Sequence, residues 1–245
     1  MDYRWHWGVL LQPVATGEPA TYLGWLVSGV VNTVELTLLA FSLALVTGTL
    51  FGVMRTLPNR AAKAVSAAYV SIFRGVPLIV QFFIWFFVVP ELLPAAIGDW
   101  LKSLPSHPQF LIASVVSLGV YTGSRICEQV RAGILARPVG QIHAAFALGL
   151  TRAQAYRYVL LPVTFRTIWG PLTSEFLIIS KNSAVASTIG LLELSGQARQ
   201  LVDYTAQPYE SFICVTLVYM GLNFAILCCM RWIRRRTALP GLIGG

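Results

Sequence analysis

The sequence predicts an all-α integral membrane protein of about five transmembrane helices, on three observations. Hydrophobic residues make up 56% of the 245-residue chain and charged residues only 11%, less than half the roughly 25% charged share of an ordinary soluble domain. The apolar residues gather in blocks long enough to span a bilayer, which takes about 20 residues of helix. Lys and Arg fall mostly in alternate connecting segments, as they do when basic flanks are retained in the cytoplasm.

The expected spans are residues 23–53, 65–89, 110–134, 168–189 and 212–233. The first is long enough to tilt, and Asn32 and Glu35, three apart, give it a stripe that should face protein or water rather than lipid. In the second, Gly75 and Pro77 mark a break or kink. Such a break either serves packing or frees backbone groups for a polar solute. The aromatic run from Phe82 to Phe87 and the pair Cys228 and Cys229 suit contact with lipid or neighbouring helices.

Orientation follows from the basic residues. Arg55, Arg60 and Lys63 follow the first span; Arg131, Arg137, Arg152, Arg157 and Arg166 surround the third connection; Arg231, Arg234, Arg235 and Arg236 close the chain. The alternate segments hold only Arg4, Lys102 and Arg199, among a majority of acids. This pattern predicts a periplasmic N-terminus and a cytoplasmic C-terminus. Residues 1–22 form an interfacial segment, residues 23–233 the transmembrane domain, and residues 234–245 a basic cytoplasmic tail suited to anionic lipid, and Tyr3, Trp5, Trp7, Tyr22 and Trp25, at the start of the first span, suit the outer interface. The start, MDYRWHWGVLLQ, lacks the signature of a cleavable signal peptide, so the first span is expected to direct its own insertion.

Several classes of function are excluded. The net charge of +8 does not indicate nucleic acid, because the basic residues sit beside apolar blocks instead of on a soluble face. The four cysteines have neither metal-ligand spacing nor a disulfide framework. His6, His107 and His143 are far apart in the predicted topology, so no metal site and no Ser-His-Asp arrangement is suggested. A membrane-embedded enzyme would need acid, base or metal groups converging at one depth, and no catalytic residue is assigned. None of Lys63, Lys102 and Lys181 follows a glycine, so the phosphate-cradling G-x-x-x-x-G-K-[ST] loop is missing.

The longest cytoplasmic connection, residues 135–167, reads as folded. Ala144, Ala145, Ala147 and Leu148 begin a helix-forming run, Gly149 interrupts it, and a basic and apolar segment resumes from Arg152 to Pro162. Two short helices joined at Gly149 are expected. Taken alone, the arginines would also fit an amphipathic helix on the membrane surface. The whole string HAAFALGLTRAQAYRYVLLP, however, resembles the cytoplasmic loop of ATP-binding-cassette (ABC) importer permeases, in which Glu-Ala-Ala, three residues, Gly, nine residues and Ile-x-Leu-Pro recur. Ala144, Ala145, Gly149, Leu161 and Pro162 match, Val159 is a conservative match, and His143 stands where Glu is usual. The resemblance implies that this loop is a coupling helix lodged in an ATPase subunit, with small side chains and a glycine bend letting it sit deep in the partner's groove.

FRGVPLIVQFF, EQVRAGI and SKNSAVASTIG are similar to segments of the polar amino acid permeases, and RTLPNR, VPELLP and RICEQVRAGI to those of the glutamate/aspartate permeases. The resemblance implies a multi-pass protein of the bacterial inner membrane that takes glutamate or aspartate from a periplasmic amino-acid-binding protein. It also implies a second permease, identical or homologous, and an ABC ATPase dimer that uses ATP and Mg, with no cofactor bound by this chain. Glutamine, histidine or arginine are alternative substrates. An independent channel or secondary transporter would leave the loop pattern without a purpose.

A charge at mid-membrane costs about 2.5–3.5 kcal/mol on insertion scales, so Arg74, Arg125, Lys181, Glu35, Glu128 and Glu175 should face a cavity or a partner. Arg125, Glu128 and Arg131 recur every three residues, so Glu128 is positioned to neutralise one arginine. Alternatively, Arg125 lines the substrate path and holds a carboxylate, since related permeases carry an aromatic residue there. Asn182 replaces the Asp of the family's Lys-Asp-Thr-Ser-like stretch, which favours an anion or is neutral packing, and Lys181 either lines the path or snorkels to the interface. Glu175 pairs with Lys181 or with Arg74; the spacing is compatible with both.

Overall fold

Helix α1 (Tyr22–Met54) runs uninterrupted for 33 residues. At 1.5 Å per residue that is roughly 50 Å, longer than a hydrocarbon core of about 30 Å, so it tilts or projects beyond the core. The computed structural model describes residues 3–237, and its elements are helical. A 3-10 turn (Trp7–Leu11) precedes α1. Then come α2 (Arg60–Gly75), α3 (Leu78–Leu92), α4 (Ala95–Ser103), α5 (Ser106–Leu135) and α6 (Val139–Ala147). Next are α7 (152–167), α8 (Trp169–Asn182), which runs on through a 3-10 segment to Ile189, α9 (Leu194–Thr205) and α10 (Pro208–Thr237). The final residues of the expected basic tail, 238–245, lie outside the described residues.

Three helices are long and apolar enough to cross a membrane: α1, α5 and α10. The expected second span is two helices, α2 and α3, meeting at 105°, and the fourth runs from α8 past Ile189 into α9 with a bend of 48°. Among the described residues there are therefore three continuous candidate spans, or up to five if each bent pair is one. The first bend has a local cause. Pro77 has no N–H to continue a helix and drives the residue before it away from helical geometry; Val76 is accordingly extended, at φ −94° and ψ 129°.

Two other prolines are accommodated without a break. In α3 a π turn (Ile84–Val88) precedes Pro90, and in α7 a π turn (Tyr156–Leu160) precedes Pro162. Val89 N–H donates to the carbonyl of Ile84 and Leu161 N–H to that of Tyr156, five residues back in each case. The widened turn carries the chain past a residue that would otherwise clash with the carbonyl four positions earlier.

The helices divide into two compact units. Unit 1 comprises residues 3–40, Leu78–Leu118 and Ile178–Ala225. Its core packs Val9, Val14, Tyr22, Trp25 and Leu26 against Leu194, Leu201 and Val215. The break before α9 is fastened here by polar groups. The Glu193 carboxylate caps α9, accepting from the N–H groups of Ser195 (3.0 Å) and Gly196 (2.8 Å), and the Tyr219 hydroxyl donates to it at 2.7 Å. On α1, Asn32 donates to the Leu192 carbonyl at 2.8 Å and Thr33 accepts from Leu194 N–H at 3.0 Å. The polar stripe of α1 thus faces protein at Asn32.

Unit 2 comprises Phe41–Pro77, Gly119–Leu177 and residues 226–237. In it the C-terminal part of α1 runs parallel to α5 in close approach. A Cβ on Gly48 would come within 2.7 Å of the Ile126 Cβ, and one on Gly52 within 2.8 Å of the Val130 Cβ. Reciprocally, Gly119 and Gly123 of α5 receive Leu43 and Thr47 of α1. Each helix thus offers a G-x-x-x-G pair, the small-residue spacing that lets helix backbones approach where lipid removes the hydrophobic drive to associate. Tyr69 of α2 stacks on Phe51 at 4.1 Å and donates to the Val120 carbonyl at 2.7 Å, closing α2 against the α1–α5 pair.

Candidate functional site

Within unit 2, Arg74, Tyr121, Arg125, Glu128, Gln129 and Glu175 line a polar cavity of about 430 Å³, within the usual size range of small-molecule sites. Helix α5 supplies Tyr121, Arg125 and Gln129 at intervals of four, hence on one face. Arg74 comes from the last turn of α2, beside the Pro77 break, and Glu175 from α8.

Charge is distributed unevenly round this cavity. Arg125 Nε lies 2.9 Å from Glu175 Oε2 and 3.1 Å from Oε1, and Gln129 Nε2 donates to Oε1 at 2.8 Å. Glu175 is buried whereas the Arg125 side chain is 37% exposed, so the guanidinium retains a face towards the cavity. Glu128 is held by two arginines, Arg131 at 2.9 Å and Arg55. Arg74 is exposed. Two guanidinium groups, Arg74 and Arg125, and two carboxylates line the cavity, and both carboxylates are already engaged, Glu128 by Arg55 and Arg131 from outside the lining. The cavity can accept anionic groups with bidentate geometry.

Of the residues singled out in the sequence, the structure brings together Arg74, Arg125 and Glu175. Lys181 and Asn182 end α8, belong to unit 1 and do not line this cavity; Lys181 is exposed. Glu175 pairs directly with Arg125, and of the two partners weighed for it Arg74 lies at the same cavity and Lys181 does not. Tyr121 and Gln129 were not anticipated, although their positions four before and four after Arg125 put them on its face of the helix.

The second candidate region is the 135–167 connection, and it does contain two helices joined at Gly149. Helix α6 ends with Gly149 at φ +78°. The Gly149 N–H reaches the Phe146 carbonyl at 2.9 Å, and Leu150 N–H reaches that of Ala145 at 3.1 Å. This is the Schellman pattern, which needs a left-handed residue where glycine alone carries no steric penalty. Two residues later Thr151 caps α7 reciprocally: Gln154 N–H donates to Thr151 Oγ1 at 3.3 Å and Thr151 N–H to Gln154 Oε1 at 2.8 Å. Ala145 is buried, whereas His143, Ala144 and Gly149 are exposed, as are Phe146, Leu148 (82%) and Tyr158. Leu161 is half-buried and Pro162 exposed. The turn thus carries an apolar surface shaped by small residues.

Residues 44–239 match the family described as "Binding-protein-dependent transport system inner membrane component". The chain belongs to this family. It is a multi-pass permease subunit of an ABC importer in the inner membrane, a transport component and not an enzyme. Over 246 aligned residues, the whole of both chains, the permease is 48% identical to the glutamate/aspartate import permease protein GltJ of Escherichia coli (strain K12). It is 28% identical over 203 residues to the nopaline transport system permease protein NocM of Agrobacterium fabrum (strain C58), covering 82% of this chain and 83% of the relative. Among solved structures, an amino acid ABC transporter crystallised with histidines superposes with a TM-score of 0.71 at 28% identity, covering 88% of this chain and 95% of that one. The MetNI methionine ABC transporter, in an inward-facing conformation, gives 0.72 at 25% identity, covering 88% and 97%.

Proposed function

We propose that the permease moves glutamate or aspartate from a periplasmic binding protein to the cytoplasm, and that the cavity of unit 2 lies on the path. The observation that carries this reading is that both carboxylates lining the cavity are engaged by arginines, which leaves Arg74 and one face of Arg125 turned to it, in a chain whose full length is 48% identical to a glutamate/aspartate permease. An acidic amino acid has two carboxylates and one ammonium group. Arg74 and the free face of Arg125 suit the carboxylates, while Glu175 holds Arg125 in place. Lys181 and Asn182 would act elsewhere on the path, at the end of α8.

The transmembrane domain is taken as residues 23–233, following an interfacial segment over residues 1–22 and preceding a basic tail over 234–245. The N-terminus would be periplasmic and the C-terminus cytoplasmic. Parallel α1 and α5 support this arrangement, since the chain must then cross back between them, through the bent α2–α3 pair. The turn from His143 through Ala144, Ala145 and Gly149 to Leu161 and Pro162 would be the coupling element. Its exposed Phe146 and Leu148 suit a groove in the ATPase dimer. A second permease, identical or homologous, would complete the pathway.

Reconstitution with the binding protein and ATPase tests the whole reading. ATP hydrolysis should rise with glutamate or aspartate and respond little to glutamine, histidine or arginine. Stimulation by one of the latter alone would overturn the substrate assignment, and transport without the ATPase would overturn the coupling assignment.

A further inference from the structure

We propose that the N-terminal aromatic segment and the first turns of α10 form a phospholipid site, with an acyl chain in an α10 groove and the phosphate at Arg4, Trp5 and Trp7. The groove, about 340 Å³, is lined by Pro208, Tyr209, Phe212, Ile213, Thr216 and Leu217, one face of the helix. Its one side-chain hydroxyl besides that of Tyr209 is already committed, Thr216 donating to the Phe212 carbonyl at 2.7 Å. The floor therefore offers a polar ligand nothing and suits hydrocarbon.

The groove continues as a stripe of exposed Leu217, Met220 and Phe224. From Tyr209 to Phe224 the helix rises roughly 22 Å, beyond the roughly 15 Å that half a bilayer's hydrocarbon core measures. One chain of one leaflet fits along it. This permease is membrane-embedded, and α10 is the least enclosed of its three continuous spans. The surface is thus continuous with the lipid phase.

At the mouth of the groove the chemistry changes. The Tyr209 ring meets Tyr3 edge-on at 4.6 Å and Trp5 at 6.1 Å, and Trp5 stacks on Trp7 at 5.7 Å with planes 1° apart. Both tryptophans are about half exposed, the amphipathic placement found at headgroup level. The acid beside them, Glu210, is buried and accepts from the Tyr3 hydroxyl and from His6 N–H at 2.7 Å. That leaves exposed Arg4 to face the solvent as a cation complementary to phosphate, with the exposed His6 nearby in sequence.

The test is photo-crosslinking of the full-length permease in liposomes of phosphatidylethanolamine and phosphatidylglycerol, with p-benzoyl-phenylalanine in place of Phe212. Mass spectrometry should find a phospholipid adduct. An adduct to protein, whether a second copy or another subunit, would overturn the proposal. In the variant Arg4→Ala/Trp5→Ala/Trp7→Ala the lipid adduct at position 212 should fall several-fold, while an adduct at exposed Val46 of α1 stays constant. Tyr3 and the His6 backbone, which fasten the segment to α10, are retained in that variant. An undiminished adduct at 212 would reduce the groove to ordinary lipid contact and sink the headgroup site.

Discussion

Arg125 and Glu175 meet at 2.9 Å although fifty residues separate them in the chain, and Gln129 supports the carboxylate at 2.8 Å from one turn along α5. Removing one partner of a fully buried pair costs about 3–5 kcal/mol, because the other charge is left without compensation. Here the penalty should be smaller, since the Arg125 side chain is 37% exposed. Arg125→Ala is expected to lower the melting temperature of the purified permease. Arg125→Ala with Glu175→Gln should recover most of the loss by removing the stranded charge. A double variant no more stable than the single would mean that the pair contributes little to stability.

The same arginine should set substrate preference. A hydrogen bond to a charged group contributes about 1.5–3 kcal/mol, which is roughly tenfold to a hundredfold in affinity. Arg125→Tyr, which removes the guanidinium but keeps a large side chain, should reduce glutamate uptake relative to glutamine by that order. Competition uptake in reconstituted vesicles measures it, and an unchanged ratio would show that selectivity resides elsewhere.

Much of this architecture was legible in hydropathy, because a bilayer imposes length and polarity on each span. The Gly75–Pro77 break was legible for the same local reason. The end of the fourth span at Ile189 was legible, but the bend beyond it was not: Gly190 closes the helix at φ +106°, and Glu193 starts the next one, fixed by Tyr219 with Asn32 and Thr33 securing its neighbours. In the cavity, spacing pointed to Glu128 as a local neutraliser of an arginine. It does meet Arg131, but Arg55 joins it from the end of α1, and Arg125 turns to α8. Periodicity finds residues on one helix face; it cannot find the residue another helix brings there. The glycine pairs of GTLFG and GVYTG were not anticipated, and it is their reciprocity in space that shows they serve each other.

That reciprocity yields a packing prediction. Gly48→Leu would drive a side chain into Ile126, whose Cβ is 2.7 Å from the position of the new Cβ. Overpacking of this kind costs about 1–3 kcal/mol, so the variant should accumulate poorly in the membrane and melt earlier. Gly170→Ala, whose Cβ has open space, is the matched control and should be neutral. Equal loss in both would mean that the α1–α5 contact is not especially tight.

Gly149 separates backbone shape from side-chain bulk. At φ +78° a non-glycine residue costs about 1–2 kcal/mol, but Asn tolerates this conformation better than β-branched residues. No neighbour lies within 4 Å of the added Cβ, so within this chain the penalty is conformational, not steric. If the turn is the coupling element, Gly149→Asn should retain much of the substrate-stimulated ATPase activity if the docking groove admits its side chain. Gly149→Val should lose it while the permease still inserts, and Gly149→Asp should assemble poorly with the ATPase or hydrolyse ATP without transport. Copurification of the ATPase and the ratio of transport to hydrolysis read these outcomes. Full coupling in the Val and Asp variants would show that the bend at Gly149 is not what transmits motion from the ATPase.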